Sequence, residues 1–168
     1  LSGVSADYPD LAEPEKVAFL EKELANPRPL YRNREDFSET TVELLDVFKL
    51  MRRVMRKDEQ AIGAYIVSMT HSVSDLLEVL LLAKEVGLWR VDGDAVHCPI
   101  DVAPLFETVD DLERAHATFA AMLHDPAYRE HLRRREEHEG PREEDEDQDQ
   151  GDGLAGRSNV VGFQLVGK

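Results

Sequence analysis

The stretch AIGAYIVSMTHSVSDLLEVLLLAKEVG, residues 61–87, decides the fold. Its first part, Ala61 to Met69, is apolar without alternation, the pattern of a strand covered on both faces. After Thr70-His71-Ser72 the period becomes helical. Leu76, Leu77, Leu80, Leu81 and Val86 mark the buried face, and Gly87 stands where a helix closes in a left-handed turn. A turn through Asp92-Gly93-Asp94 follows, and Pro99 to Phe106 reads as a second buried strand, weakened by Pro104, which lacks a ladder donor. Strand, helix and strand with short joins predict a parallel crossover unit.

Outward from this core the chain is helical. A first helix starts near Pro14, with Glu13 and Glu15 at its positive end, and stops at Asn26-Pro27. A second is predicted from Thr40, with Glu43 completing a capping box, and runs through Leu45, Phe48 and Met51 to Met55. Arg52, Arg53, Arg56 and Lys57 suit its negative pole. Two more helices are predicted from about Val109 to Leu123 and from Pro126 to about Arg135. Two strands leave their edges unpaired, so the parent is expected to be a larger parallel sheet or a β/α barrel. The fold class is α/β: part of a helix-rich barrel, mostly helical, with two or three parallel strands. Residues 1–135 form the barrel region, 136–158 an acidic disordered loop or insertion, and 159–168 the start of a further strand.

The 168 residues carry 35 acids against 20 Lys and Arg, a net charge of −15. Such a balance disfavours nucleic acid and anionic membranes as partners. Ten of the acids lie between Glu136 and Asp152, beside one Arg, so most of the excess sits in one segment. No run is apolar enough for a transmembrane helix. Cys98 is the single cysteine, which excludes an internal disulfide framework and fits a reducing, cytoplasmic setting. The acidic surplus also suggests a salt-adapted source. Neither Leu1 nor Lys168 reads as a natural terminus.

Parallel sheets gather functional groups at the C-terminal ends of their strands. That rule selects Ser68 to Ser72 after the first strand and Glu107-Thr108 after the second. Glu107 is a carboxylate at the mouth end of an apolar strand, where an oxygen-seeking divalent cation could be held. The plainer alternative is that Thr108 caps the next helix, with Asp110 and Asp111 in its first turn. The two roles are compatible. Ser68 and Ser72 lack an established base and orienter, so Ser72 or Ser74 reads as a helix cap. His97-Cys98 has no second pair at ligand spacing and reads as loop.

These residues also carry a resemblance. AYIVSMTHSVSD, residues 64–75, with the Leu-rich helix up to Lys84-Glu85, is similar to a segment of phosphoenolpyruvate carboxylases. VAPLFETVDDL, residues 102–112, resembles that family's P-L-F-E-T-x-x-D-L block. FLEKELANPRPL (19–30) and DPAYR (125–129) look like its neighbouring segments in the same order, so the likeness runs from about Tyr8 to about Arg135. The resemblance implies a cytoplasmic homotetramer of helix-rich β/α barrels. Such an enzyme joins phosphoenolpyruvate and bicarbonate into oxaloacetate and phosphate, a carbon dioxide fixation that feeds the tricarboxylic acid cycle. It further implies a Mg²⁺ or Mn²⁺ ion with Glu107 as one ligand. The family's second metal carboxylate and a nearby lysine belong to a G-Y-S-D-S-x-K-D block. Here the region of Val160 to Lys168 matches that block only in its Gly162-Phe163 pair. No catalytic residue is therefore assigned within the chain, which is expected to be an internal fragment, inactive alone. The alternatives are a free-standing helical interaction module with an acidic tail, or a degenerate relative of the carboxylase.

Overall fold

The computed structural model of the chain describes residues 7–30, 35, 37–92, 95–139 and 160–163. A short 3-10 turn, Tyr8–Asp10, precedes α1 (Glu13–Ala25) and α2 (Glu39–Met55). Then come β1 (Ala64–Val67), α3 (Val73–Glu85), β2 (Arg90–Asp92), β3 (Ala95–His97) and β4 (Asp101–Pro104). Two further helices, α4 (Val109–His124) and α5 (Pro126–Glu139), lead to β5 (Val160–Phe163).

The expected crossover is present. β1 pairs in parallel with β4, Ala64 opposite Asp101 and Val67 opposite Pro104. On its other side β1 pairs in parallel with β5, giving the order β4-β1-β5. The tail thus contributes the third parallel strand. Pro104 is the last residue of a strand whose outer edge is unpaired among the described residues, where its missing N–H breaks no ladder.

Both main strands are shorter than the apolar runs that announce them, because their ends turn away to meet helices. Tyr65 and Val67 are buried against the helical layer, while Ala64 and Ile66 on the opposite face are half covered. The core is built from Phe48 of α2, Tyr65 of β1, the leucines of α3, and Ile100 and Val102 around β4. The Phe48 and Tyr65 rings meet at 5.1 Å. Leu76, Leu77, Val79 and Leu80 are fully buried, each contributing roughly 1.5–3 kcal/mol of apolar burial. Leu81 is only half buried. Tyr128 of α5 donates its hydroxyl hydrogen to the Val102 carbonyl (2.7 Å), fastening that helix to β4.

Local details correct the sequence reading in three places. The cap of α2 is Ser38 rather than Thr40: its hydroxyl accepts from the Thr41 N–H at 3.2 Å, starting the helix earlier. The segment around 92–94 is flanked by an antiparallel hairpin of β2 with β3, Arg90 opposite His97; Gly93 and Asp94 lie outside the described residues. Each arm is only three residues long, too short to show a period in sequence. His97 therefore ends a strand rather than lying in a loop, and Cys98 beyond it is buried. The last helix continues to Glu139, into the acidic stretch, whose remainder from 140 to 158 lies outside the described residues. None of the described helices is long and apolar enough to cross a membrane.

Gly87 closes α3 with φ +74°, a conformation costly to a residue bearing a Cβ, and its N–H reaches back to the Lys84 carbonyl at 2.8 Å. A Cβ there would also stand 3.3 Å from the Arg52 guanidinium. Gly87→Ala should lower stability by about 1–2 kcal/mol in urea unfolding. An unchanged midpoint would remove the glycine requirement.

Candidate functional site at the strand ends

β1 stops at Val67, and the chain turns through Ser68 and Met69, the latter at φ +56°. A non-glycine residue there costs of order 1 kcal/mol, so something must hold the turn. Thr70 does. It is fully buried, its N–H donates to the Leu105 carbonyl at 3.2 Å, and its hydroxyl donates to the Val67 carbonyl at 2.7 Å. The Leu105 N–H donates to the same Val67 carbonyl at 3.0 Å. One threonine therefore ties the end of β1 to the end of β4.

Beyond the turn, Asp75 accepts from the N–H groups of His71 (2.8 Å) and Ser72 (2.9 Å), starting α3. Ser72 is the cap, as expected. Ser74 instead reaches α1, its N–H and hydroxyl both donating to the Glu13 carboxylate, at 2.9 and 2.8 Å. The first helix thus supplies an anion to the positive end of the third.

On the β4 side Thr108 caps α4. Its hydroxyl accepts from the Asp111 N–H (3.0 Å) and donates to the Asp111 carboxylate (2.5 Å). The other oxygen of that buried carboxylate accepts from Nδ1 of His71 at 2.7 Å. Arg114 approaches the same oxygen at 3.4 Å from an exposed position, where screening leaves little. The hydrogen bond from Thr108, then that from His71, hold the Asp111 carboxyl down at about 2. Asp111 accordingly links the loop after β4 to the loop after β1. Sequence reading placed it only in the first turn of a helix. The Thr108-x-x-Asp111 spacing signals a cap, but nothing in sequence announces His71 as its partner forty residues away.

Glu107 sits between these two systems and belongs to neither. It precedes the cap, it is exposed, and its carboxylate has no hydrogen-bond or ion-pair partner among the described residues. Its neighbour Phe106 packs half buried against the core, and Thr108 is fixed by the cap. The backbone that carries Glu107 is therefore anchored on both sides while its side chain is left available. Among the described residues no three His, Cys, Asp or Glu side chains are grouped to hold a metal. Ser68 and His71 share no hydrogen bond among the described residues, so they do not form a nucleophile and base pair.

The model of one protein family, phosphoenolpyruvate carboxylase, matches residues 1–144. The chain belongs to the phosphoenolpyruvate carboxylase family. Among curated relatives it is similar to the phosphoenolpyruvate carboxylase of Rhodothermus marinus, 48% identical over 136 residues, which are 77% of this chain and 14% of that protein. The enzyme of Synechococcus sp. strain WH7803 is 46% identical over 128 residues, 76% of this chain and 13% of its own length. That of Mycobacterium avium strain 104 is 40% identical over 129 residues, again 76% of this chain and 14% of its own. The chain thus spans about a seventh of the carboxylases it matches. Membership in this family sets aside the free-standing helical module.

The lowered Asp111 carboxyl makes stability depend on acid in a definite direction. In the unfolded chain this group titrates near the ordinary ~3.9, so its contribution is complete above about pH 4 and is lost as pH falls through about 2. Asp111→Asn should flatten that part of the unfolding profile, followed by circular dichroism from about pH 5 down to about pH 2. Thr70→Val should cost about 0.5–1.5 kcal/mol by removing one of the two hydrogen bonds to the Val67 carbonyl, which keeps that of the Leu105 N–H, with Thr70→Ser far milder. Equal losses for the two variants would sink the hydroxyl's bridging role.

Proposed function

We propose that this chain is the portion of a phosphoenolpyruvate carboxylase that presents Glu107 to a divalent cation at the mouth of a helix-rich β/α barrel. In the whole enzyme the reaction would join phosphoenolpyruvate and bicarbonate, breaking the phosphate ester and forming the new carbon–carbon bond of oxaloacetate. The observation that carries the reading is the placement of Glu107: a carboxylate without a partner among the described residues, on anchored backbone, three residues past the C-terminal end of a parallel strand. Its all-oxygen chemistry suits Mg²⁺ or Mn²⁺. One such ligand is what this chain offers; the rest of the coordination shell belongs to residues elsewhere in the enzyme. The bound ion would supply charge neutralisation for oxyanions that develop on the substrate.

The chain's own residues do the positioning. Thr70 sets the register of the two strand ends, and Asp111 locks the two loops through Thr108 and His71. Neither is free to coordinate, which supports Glu107 as the ligand. Val109, Leu112, Phe119 and Leu123 form an exposed apolar stripe along α4. A polypeptide of the relatives' length has the chain to cover it, which supports a larger barrel. The family likeness is the ground for reading the full-length enzyme as a cytoplasmic homotetramer, with this portion inactive alone.

The test is Glu107→Gln in the full-length enzyme, assayed for bicarbonate-dependent phosphate release. Loss of a metal-ligating carboxylate should lower kcat at least about a hundredfold, with partial recovery at high Mn²⁺. The thermal midpoint should hardly move, because the side chain is exposed and unpartnered among the described residues. Full activity in the variant would remove Glu107 from the metal site, and a large drop in midpoint would make its role structural.

A further inference from the structure

At the opposite end of α3 from the strand mouths, three guanidinium groups from two parts of the chain line one small cavity. Arg52 and Arg56 come from the last turn of α2 and its cap, and Arg90 opens β2. The cavity is about 80 Å³, with Gly87, His97 and Glu59 also on its walls. None of the three guanidinium groups has a hydrogen bond or ion pair among the described residues, in a chain that carries 35 acids. Burial first, then the fields of Arg56 and Arg90, push the Arg52 guanidinium below its ordinary value. Arg53 extends the positive face along α2 beside Arg52 and Arg56, while Lys49 on the same face is ion-paired with Asp46 at 3.5 Å.

Complementing the negative end of α2 accounts for Arg52 and Arg56. It does not account for Arg90, which arrives from another element to face them. Like charges are brought together here without an ion pair to a described residue, with Glu59 the one carboxylate on the cavity wall and Arg56 and Arg90 exposed to solvent. Gly87 contributes by what it lacks: the Arg52 guanidinium lies 3.3 Å from the position a Cβ would take, so a larger residue would displace it.

We propose that Arg52, Arg56 and Arg90 form a binding site for one tetrahedral oxyanion, a phosphate group either free or carried as a monoester. The cavity has room for one such group and is open to solvent, with Arg56 and Arg90 exposed at its rim. Guanidinium forks match phosphate oxygens in pairs, and Arg53 raises the local anion concentration without touching it. Glu59 on the wall opposes the anion and weakens its binding. This site is independent of the role given to Glu107.

The whole chain is titrated with inorganic phosphate, and separately with glycerol 3-phosphate, at ionic strength held constant with chloride. Binding is read from ³¹P line broadening and from the thermal midpoint. Saturable binding of either anion is expected. Tighter binding of the ester assigns the site to a phosphate monoester, and equal binding to the phosphate group alone. Arg52→Lys, which keeps the charge and loses the fork, should weaken binding about tenfold with the midpoint of the free protein unchanged. Glu59→Gln should tighten it several-fold, an effect that a purely structural role for this cluster does not produce. Broadening that never saturates, or saturation that survives both Arg52→Lys and Arg90→Gln, overturns the proposal.

Discussion

Two parallel strands have no turn between them to fix their register, and in this molecule the buried Thr70 fixes it. Its N–H and hydroxyl reach the Leu105 and Val67 carbonyls, so the ends of β1 and β4 cannot slide past each other without orphaning buried polar groups. The strained Met69 turn persists because Thr70 over-determines it. Everything at the mouth inherits its position from this junction: the start of α3, the placement of His71 and the course of the chain through Glu107.

Asp111 and Glu107, four residues apart, show how neighbouring carboxylates acquire different uses. Asp111 is buried and satisfied by Thr108 and His71, which makes it an ionised clamp between two loops. Glu107 is exposed and unpartnered among the described residues. A carboxylate already committed to hydrogen bonds on both oxygens has few lone pairs in reach of an external cation. One held on rigid backbone and left without partners loses little by accepting one. The contrast separates the residue that builds the site from the residue that serves it.

The same economy runs through the helices. Glu13 of α1 caps α3 across a gap of 61 residues, and Tyr128 of α5 closes onto β4. Helix ends are costly to leave unsatisfied. Using side chains from distant elements to satisfy them couples local helix formation to the tertiary packing, so the layers form together.

By itself the sequence determined the five helices, the strands β1 and β4, and their order. The unalternating run of 61–69, the change to helical period after Ser72, and Gly87 at the close of α3 are local signals, because strand burial, helix period and left-handed caps are each set by a few adjacent residues. Glu107 was legible for the same reason, standing one step past a strand and one before a cap. Only the tertiary structure decided who its neighbours are. The bond between His71 and Asp111, the double reach of Thr70, the meeting of Arg90 with Arg52 and Arg56, and the β2–β3 hairpin all join residues whose spacing follows no period. Such contacts depend on how the crossover folds the chain back on itself, and a residue's type and local pattern carry no record of that.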